Sequence, residues 1–319
     1  MQTGDKINYN LSIRDIEYVL AVYNEKSFTA AAAKLYISQP SLSQAVKKIE
    51  DNLGYIIFQR TRKGVKLSEE GECFIKACMH IKKSLRDYDN EINDLKTLHS
   101  GHISIGMPFY LGEHVMPPVL AAFRRKYPDV EISLMERHSQ QLEACLVQGE
   151  IDIALMPLPL DDNSLDYIPL KTSELMVVMS GSDPYRKFVQ KDSDGNEFID
   201  LRDLSGAPII TGLPGQRIRK GVDMLFSRLG ITLNIAIASR SIRTIIRLAS
   251  IGMGIALTPD MYIHDDDAFN DDMYVCRIKE GQSLPWIFAA AYAQNDYLSN
   301  AAQQFLSTMI EVVPQIEQA

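Results

Sequence analysis

The sequence predicts a mixed α/β protein made of a small helical head, one long helix and a larger two-lobed α/β body. Three observations predict it. Short helical periods ending in a basic hairpin fill residues 12–67, an apolar heptad runs from Phe74 to Leu95, and from residue 102 onward extended and helical segments alternate. Such alternation is the signature of βαβ units around a largely parallel sheet. A chain of 319 residues exceeds one ordinary domain of roughly 150 residues, so the boundaries expected are 1–67 for the head, 68–100 for the linker helix and hinge, and 101–319 for the body.

Each element has its own justification. Ser12 followed by Asp15 is a capping-box pattern, and Ile16, Val19, Leu20 and Tyr23 recur at helical spacing, so a first helix is expected over about 12–24. Ser27 can cap the alanine-rich FTAAAAKL, whose small side chains let another helix approach. After the short connector Tyr36-Ile37, a third helix starts near Ser38-Gln39-Pro40, buries Leu42, Val46, Ile49 and Leu53, and stops at Gly54. The segments on either side of Thr61-Arg62-Lys63-Gly64 then read as a β-hairpin with a basic tip, which makes the head a winged helix-turn-helix.

Charge is distributed to match. Residues 11–68 hold nine Lys/Arg against five Asp/Glu, a local balance of +4, whereas residues 101–319 hold 18 against 28, a balance of −10, within a chain of formal charge −8. A generic nucleic-acid coat is therefore excluded, while a basic head on an acidic body is compatible with local contact to a duplex. On the third helix Ser43, Gln44, Lys47 and Lys48 face away from the apolar stripe, and Ser38, Gln39 and Pro40 sit at the N-terminal end that helix-turn-helix proteins present to base edges. Serine and glutamine suit base edges and lysine suits phosphates. Ser27, Thr29, Arg60, Arg62 and Lys63 complete the expected DNA-contacting set, and double-stranded DNA is the expected partner.

Residues 11–71, including SFTAAAAKL, SQPSLSQAVKKIE and LGYIIFQR, closely resemble the winged-helix head of LysR-type transcriptional regulators. The resemblance implies a homo-oligomeric, ligand-responsive regulator that contacts RNA polymerase, with a C-terminal domain like a periplasmic binding protein. It also favours a homotetramer. Ser68 departs from the family's more usual threonine before the linker helix, although either residue can cap.

From Ser68 the apolar positions Phe74, Cys78, Ile81, Leu85, Tyr88, Ile92 and Leu95 are spaced by alternating steps of four and three. A seam of about three heptads points to helix pairing and so to a homodimer, with Lys82, Lys83, Arg86, Asp87, Asp89 and Glu91 remaining wet. Two heads side by side would read a roughly two-fold promoter site. Cys78 reads as a small buried hydrophobe in that seam. His99-Ser100-Gly101 ends the pattern and marks a hinge.

In the body, strands are expected at His102–Met107, Val130–Met135, Ile151–Met156, Leu175–Met179, Pro208–Thr211, Ile231–Ala238, Ile255–Leu257 and Pro285–Ala293. Helices are expected at 114–126, 139–148, about 216–229, 241–250 and about 297–312. The first lobe is expected to take about 101–172 and 278–319, and the second about 173–277; the resemblance implies the return of the last segments to the first. Ligands in open α/β sheets bind beyond the carboxyl ends of strands, which selects the loops holding Met107, Pro108, Phe109 and Tyr110; Arg137 and Ser139; Pro157; Thr211, Gly212, Gln216 and Arg217; and Ser239 and Arg240. Ser139 also looks like a helix N-cap. The resemblance implies an effector between the lobes, touching the first, second and fourth of these loops. Relatives often place serine or threonine in the first loop to hold a carboxylate, but here it is bulky and mostly apolar. A small-molecule effector that is apolar or aromatic, with one anionic or polar end at Thr211–Arg217 or Arg219, is the expected ligand.

The competing reading is a metabolite-transforming α/β enzyme with an attached DNA-binding head. Gly252-Met253-Gly254 lacks the third glycine of a dinucleotide loop, six histidines show no metal spacing, and no GxSxG elbow occurs. Asp265-Asp266-Asp267 and Asp271-Asp272 read as a solvated acidic loop. No catalytic residue, metal or cofactor is expected. Four cysteines (Cys73, Cys78, Cys145, Cys276) are too few and irregular for a disulfide framework. The opening MQTGDKINYN lacks the basic-then-apolar order of a signal peptide, and no apolar run reaches the ~18 residues of a membrane span. A reducing, cytoplasmic setting away from membranes is expected.

Overall fold

A computed structural model describes residues 11–61, 64–96, 101–263, 272–294 and 297–316, leaving aside the side chains of residues 60 and 93–96. It divides into two compact units, Met1–Asp89 and Asn90–Ala319.

The first unit opens with α1 (Ile13–Glu25), whose N-cap Ser12 accepts from the Asp15 amide while the Asp15 carboxylate accepts from the Ser12 amide, closing the expected capping box. Ser27 caps α2 (Phe28–Lys34) and Ser38 caps α3 (Gln39–Leu53), which ends on left-handed Gly54. Exposed Tyr36 takes a positive φ of 55° between α2 and α3, a backbone state that keeps the connector short. Strands β1 (Phe58–Thr61) and β2 (Gly64–Leu67) form the antiparallel wing. The wing is fastened twice. The Glu50 carboxylate on α3 accepts from the amides of Ile57 at 2.7 Å and Phe58 at 3.0 Å, and the Val65 amide donates to the Lys26 carbonyl. Gly64 is required at the second contact, since a Cβ there would stand 2.8 Å from the Lys26 oxygen.

The long helix α4 (Glu69–Lys96) opens under Ser68, whose hydroxyl accepts from the Gly71 amide. Here the structure corrects the heptad expectation. Phe74 and Cys78 do not wait for a second helix; together with Ile75 and Met79 they complete the head's own core with Val19, Leu42, Ile49 and Ile57. Exposed apolar side chains begin only at Ile81, Leu85 and Tyr88. Lys83 is not wet either: it is buried and pairs with Asp87 at 2.6 Å. A single heptad register serves two purposes because the first three turns of α4 lie over the head.

The second unit holds two sheets. In lobe I, β3 (Gly101–Met107), α5 (Phe109–His114), α6 (Met116–Lys126), β4 (Val130–Glu136), α7 (Ser139–Val147), β5 (Ile153–Pro157) and β6 (Leu165–Ser173) are succeeded by lobe II. Lobe II contains β7 (Leu175–Ser180), β8 (Gln190–Lys191), β9 (Glu197–Ile199), β10 (Pro208–Gly212), α8 (Arg217–Arg228), β11 (Asn234–Ser239), α9 (Ile242–Ser250), β12 (Ile255–Pro259) and β13 (Met273–Ile278). The chain then returns to lobe I as β14 (Trp286–Ala293) and α10 (Asn300–Val312), the return that the resemblance implied. Strand orders are β4-β3-β5-β14-β6 and β11-β10-β12-β7-β13-β9-β8.

The sheets are mixed rather than largely parallel. Strand β14 runs antiparallel to β5 and β6, and β7 runs antiparallel to β12 and β13, because these are the strands that carry the chain between lobes. Strands β6, β8, β9 and β13 had no counterpart in the sequence reading; β6 contains Pro169, whose ring breaks the apolar pattern where β14 shifts register.

Replacing Glu50 by alanine should orphan two amides at the root of the wing and cost roughly 1–3 kcal/mol. The loss should appear as faster hydrogen exchange at Ile57 and Phe58, while fluorescence of Trp286, the single tryptophan and a resident of the body, stays unchanged.

Candidate nucleic-acid interface and ligand cleft

On the head, the capping geometry of α3 fixes which polar groups remain for a ligand. The Ser38 hydroxyl is engaged with the Ser41 amide and hydroxyl, so its place is structural as well as exposed. Gln39 donates to the Ser43 hydroxyl at 2.7 Å, which holds its side chain along the helix. Gln44, Lys47 and Lys48 are exposed, as are Pro40 and Thr29, whereas Ser27 is half-buried and spends its hydroxyl on the Ala30 amide. A groove of about 930 Å³ runs between α3 and the wing root, with Pro40, Ser43, Gln44 and Lys47 on one wall and Tyr55 and Ile56 on the other. The row from Pro40 to Lys47 therefore lies on one face. Arg62 and Lys63 lie outside the described residues, as does the side chain of Arg60.

In the body, the side chains of the loops that follow the strands divide their work differently from the expectation. Met107 and Pro157 are buried and Phe109 is 64% exposed. Tyr110 instead reaches across from lobe I, its hydroxyl donating to the Tyr262 carbonyl at 2.6 Å and its ring packing edge-on against Tyr262, which in turn meets Phe288. Burial pushes the Tyr262 phenol well above its ordinary range. Arg137 is exposed and Arg240 stands at the solvent-facing edge of the sheet. Ser139 is the first residue of α7 rather than its N-cap; the cap is His138, which makes no side-chain bond. Gln216 braces its own loop, accepting from the Leu213 amide and donating to the Arg240 carbonyl. Gly212 has no room for a side chain, because a Cβ would stand 2.7 Å from Ile218. The Ser239 hydroxyl accepts from the Ser241 amide.

Arg217 departs most from expectation. It is buried and bound to the Glu143 carboxylate, with its second terminal nitrogen 3.1 Å from Asp161; Lys220 holds the other Asp161 oxygen at 2.8 Å. Hydrogen bonds from Lys220, together with the Arg217 charge, hold the Asp161 carboxyl below its ordinary value. Arg219 pairs with Asp223 on its own helix, one turn away. At the other end of the gap, Arg243 of α9 meets Glu113 of α5 at 2.8 Å. Two buried hydroxyls at the carboxyl ends of adjacent strands, Thr211 on β10 and Thr258 on β12, have no partner among the described residues. Glu143, Asp161, Tyr262 and Thr258 escaped the sequence reading. One signal existed for Glu143, which shares a helix face with Ser139 and Leu146 at steps of four and three.

Among the described residues no group of three or more His, Cys, Asp or Glu side chains is placed to hold a metal ion, and no helix is long and apolar enough to cross a membrane. Asp265–Asp267 and Asp271 lie outside the described residues; Asp272 accepts from the hydroxyls of Ser180 and Ser182. Burial pushes the thiol of Cys78 up to about 11 and those of Cys145 and Cys276 to about 12, while Cys73 is exposed.

The chain matches two protein families: residues 13–72 match the lysR family of bacterial regulatory helix-turn-helix proteins, and residues 96–314 match the LysR substrate binding domain. It is 29% identical over 316 residues to the uncharacterized HTH-type transcriptional regulator YcgK of Bacillus subtilis, covering 96% of each chain. A full-length OxyR variant from Pseudomonas aeruginosa has a similar fold, with a TM-score of 0.69, 21% identity and coverage of 96% of this chain and 95% of that one. Full-length CbnR complexed with its target DNA is similar too, with a TM-score of 0.64, 18% identity and coverage of 95% and 100%.

At neutral pH the three raised thiols are almost entirely protonated and so poor nucleophiles. Iodoacetamide on the native protein at pH 7 should label Cys73 alone, with labelling of Cys78, Cys145 and Cys276 appearing only on denaturation or as pH approaches their shifted values; peptide mass analysis reads this directly.

Proposed function

This chain belongs to the LysR family of DNA-binding transcriptional regulators with an effector-binding domain, and from that premise we propose how its own residues divide the task. The observation that carries the proposal is the polar row on α3. Gln39, Ser43 and Gln44 read base edges in a major groove, with Ser38 and Pro40 setting the entry of the helix. Lys47 and Lys48 hold phosphates, the wing with Arg60, Arg62 and Lys63 holds the flanking backbone, and Ser27 and Thr29 at the start of α2 contact the strand alongside.

A small molecule between the two lobes modulates this activity. Thr211 and Thr258 supply hydroxyls that lack partners, Tyr110 and Tyr262 supply aromatic walls, and the backbone of the Thr211–Gln216 loop supplies amides. A ligand that binds one arrangement of the lobes better than another shifts the population towards it; one with equal affinity for both would change nothing. The output is a homodimer through the exposed stretch Ile81, Leu85 and Tyr88 of α4, assembling further to a homotetramer, so that two heads engage a roughly two-fold promoter site and act on RNA polymerase. The protein works in the cytoplasm as a binder, not an enzyme: the ionisable groups Glu143, Asp161, Arg217 and Lys220 are committed to one another, which leaves none of them free to act as an acid, base or nucleophile.

Fluorescence anisotropy on duplexes tiled upstream of the chain's own gene tests the DNA assignment. Gln39→Ala should cost about 1–3 kcal/mol on the cognate duplex and relax preference at one base, whereas Lys47→Ala should weaken all duplexes alike and lower the salt slope by about one. Identical behaviour of the two variants would refute the division of roles. Leu85→Asp should halve the mass measured by light scattering while the head remains folded; an unchanged mass would place the pairing surface elsewhere.

A further inference from the structure

The expected anionic end of an effector has a competitor inside the protein. Arg217 is the first residue of α8, and its guanidinium is the cation that an effector carboxylate is expected to meet there. That guanidinium is already engaged. The Glu143 side chain, 5% exposed, presents one oxygen to Arg217, itself 7% exposed, and the other to the amides of Asp161 at 2.7 Å and Asp162 at 2.9 Å. Glu143 and Asp161 belong to lobe I, and Arg217 and Lys220 to lobe II. In the first turn of α9, a helix capped by Ser241, Glu113 of lobe I likewise holds an arginine of lobe II, Arg243.

We infer that Glu143 is a tethered carboxylate ligand of lobe II: it occupies the Arg217 guanidinium, draws the lobes together without any bound molecule, and restricts the cleft to effectors that carry no negative charge at that end. The inference rests on reading the gap between the lobes as the effector cleft. An external carboxylate could reach Arg217 only by displacing Glu143, which would strand a buried charge and two amides. Thr211 and Thr258 can each donate or accept one hydrogen bond and the Arg217 Nε can donate one, so the ligand class is an uncharged molecule with an apolar or aromatic body and hydrogen-bond acceptors of its own.

Chemical rescue in the full-length protein tests this. Thermal melts of wild type, E143A and E143Q are recorded against sodium acetate, with sodium chloride at matched ionic strength as the control. E143A, which opens a carboxylate-sized space beside Arg217, should melt lower than wild type and recover saturably with acetate but not with chloride. Wild type should respond equally to both salts. E143Q keeps the volume and loses the charge, so its midpoint should fall by roughly 5 °C or more with no acetate response. If E143A does not fold, E143Q alone decides. An E143Q midpoint equal to wild type, or equal acetate and chloride effects on E143A, would overturn the inference. Anisotropy on duplexes with the same samples separates the two readings: loss of sequence-specific binding in wild type would sink the regulator assignment and leave the acetate result standing.

Discussion

The body is organised by one covalent constraint, the double passage of the chain between lobes at Ser173–Leu175 and at Ile278–Trp286. Two crossings joining two sheets demand strands that run against their neighbours, which is why β14 and β7 are antiparallel to the strands on both sides of them. They also turn the carboxyl ends of β10 and β12 and the starts of α7, α8 and α9 towards one gap. Arg217 and Arg243, in the first turns of α8 and α9, are answered by Glu143 and Glu113 of the opposite lobe. The ion pairs across the gap thus follow from topology before they follow from any particular residue.

The head solves a similar problem with one carboxylate. A short hairpin has no independent stability, and the wing holds its place because Glu50 receives the two amides where the chain leaves α3 for β1. Glu50 and Glu143 are alike in accepting two consecutive amides from a neighbouring loop. They differ in what else they bind: Glu50 works within a single small core, whereas Glu143 adds a guanidinium from across the gap.

Between them, α4 shows how one periodic pattern is shared. Its first turns complete the head's core through Phe74, Ile75, Cys78 and Met79, and only from Ile81 onward does the apolar row face outward. The exposed apolar row begins where the head's own packing ends. The burial that does this also silences Cys78 chemically.

Local rules were sufficient for everything that depends on neighbours in the chain. The capping box at Ser12, the caps at Ser27 and Ser38, the stop at Gly54, the polar face of α3 and the alternation of strands and helices were legible because each arises within a few residues. The strands β6, β9 and β13 were not, since their partners are distant and their apolar patterns are interrupted. The cleft was legible only as a set of loops. That the terminal nitrogens of Arg217 are already paired depends on Glu143 and Asp161, more than fifty residues away in sequence, and that Gln216 is a brace depends on the Arg240 carbonyl brought beside it. Sequence by itself determined a basic winged head, a long apolar-seamed helix and a two-lobed α/β body, because periodicity and capping are local energies. Tertiary structure alone decided which charges meet across the gap, because a buried charge is governed by whichever donor the fold brings beside it.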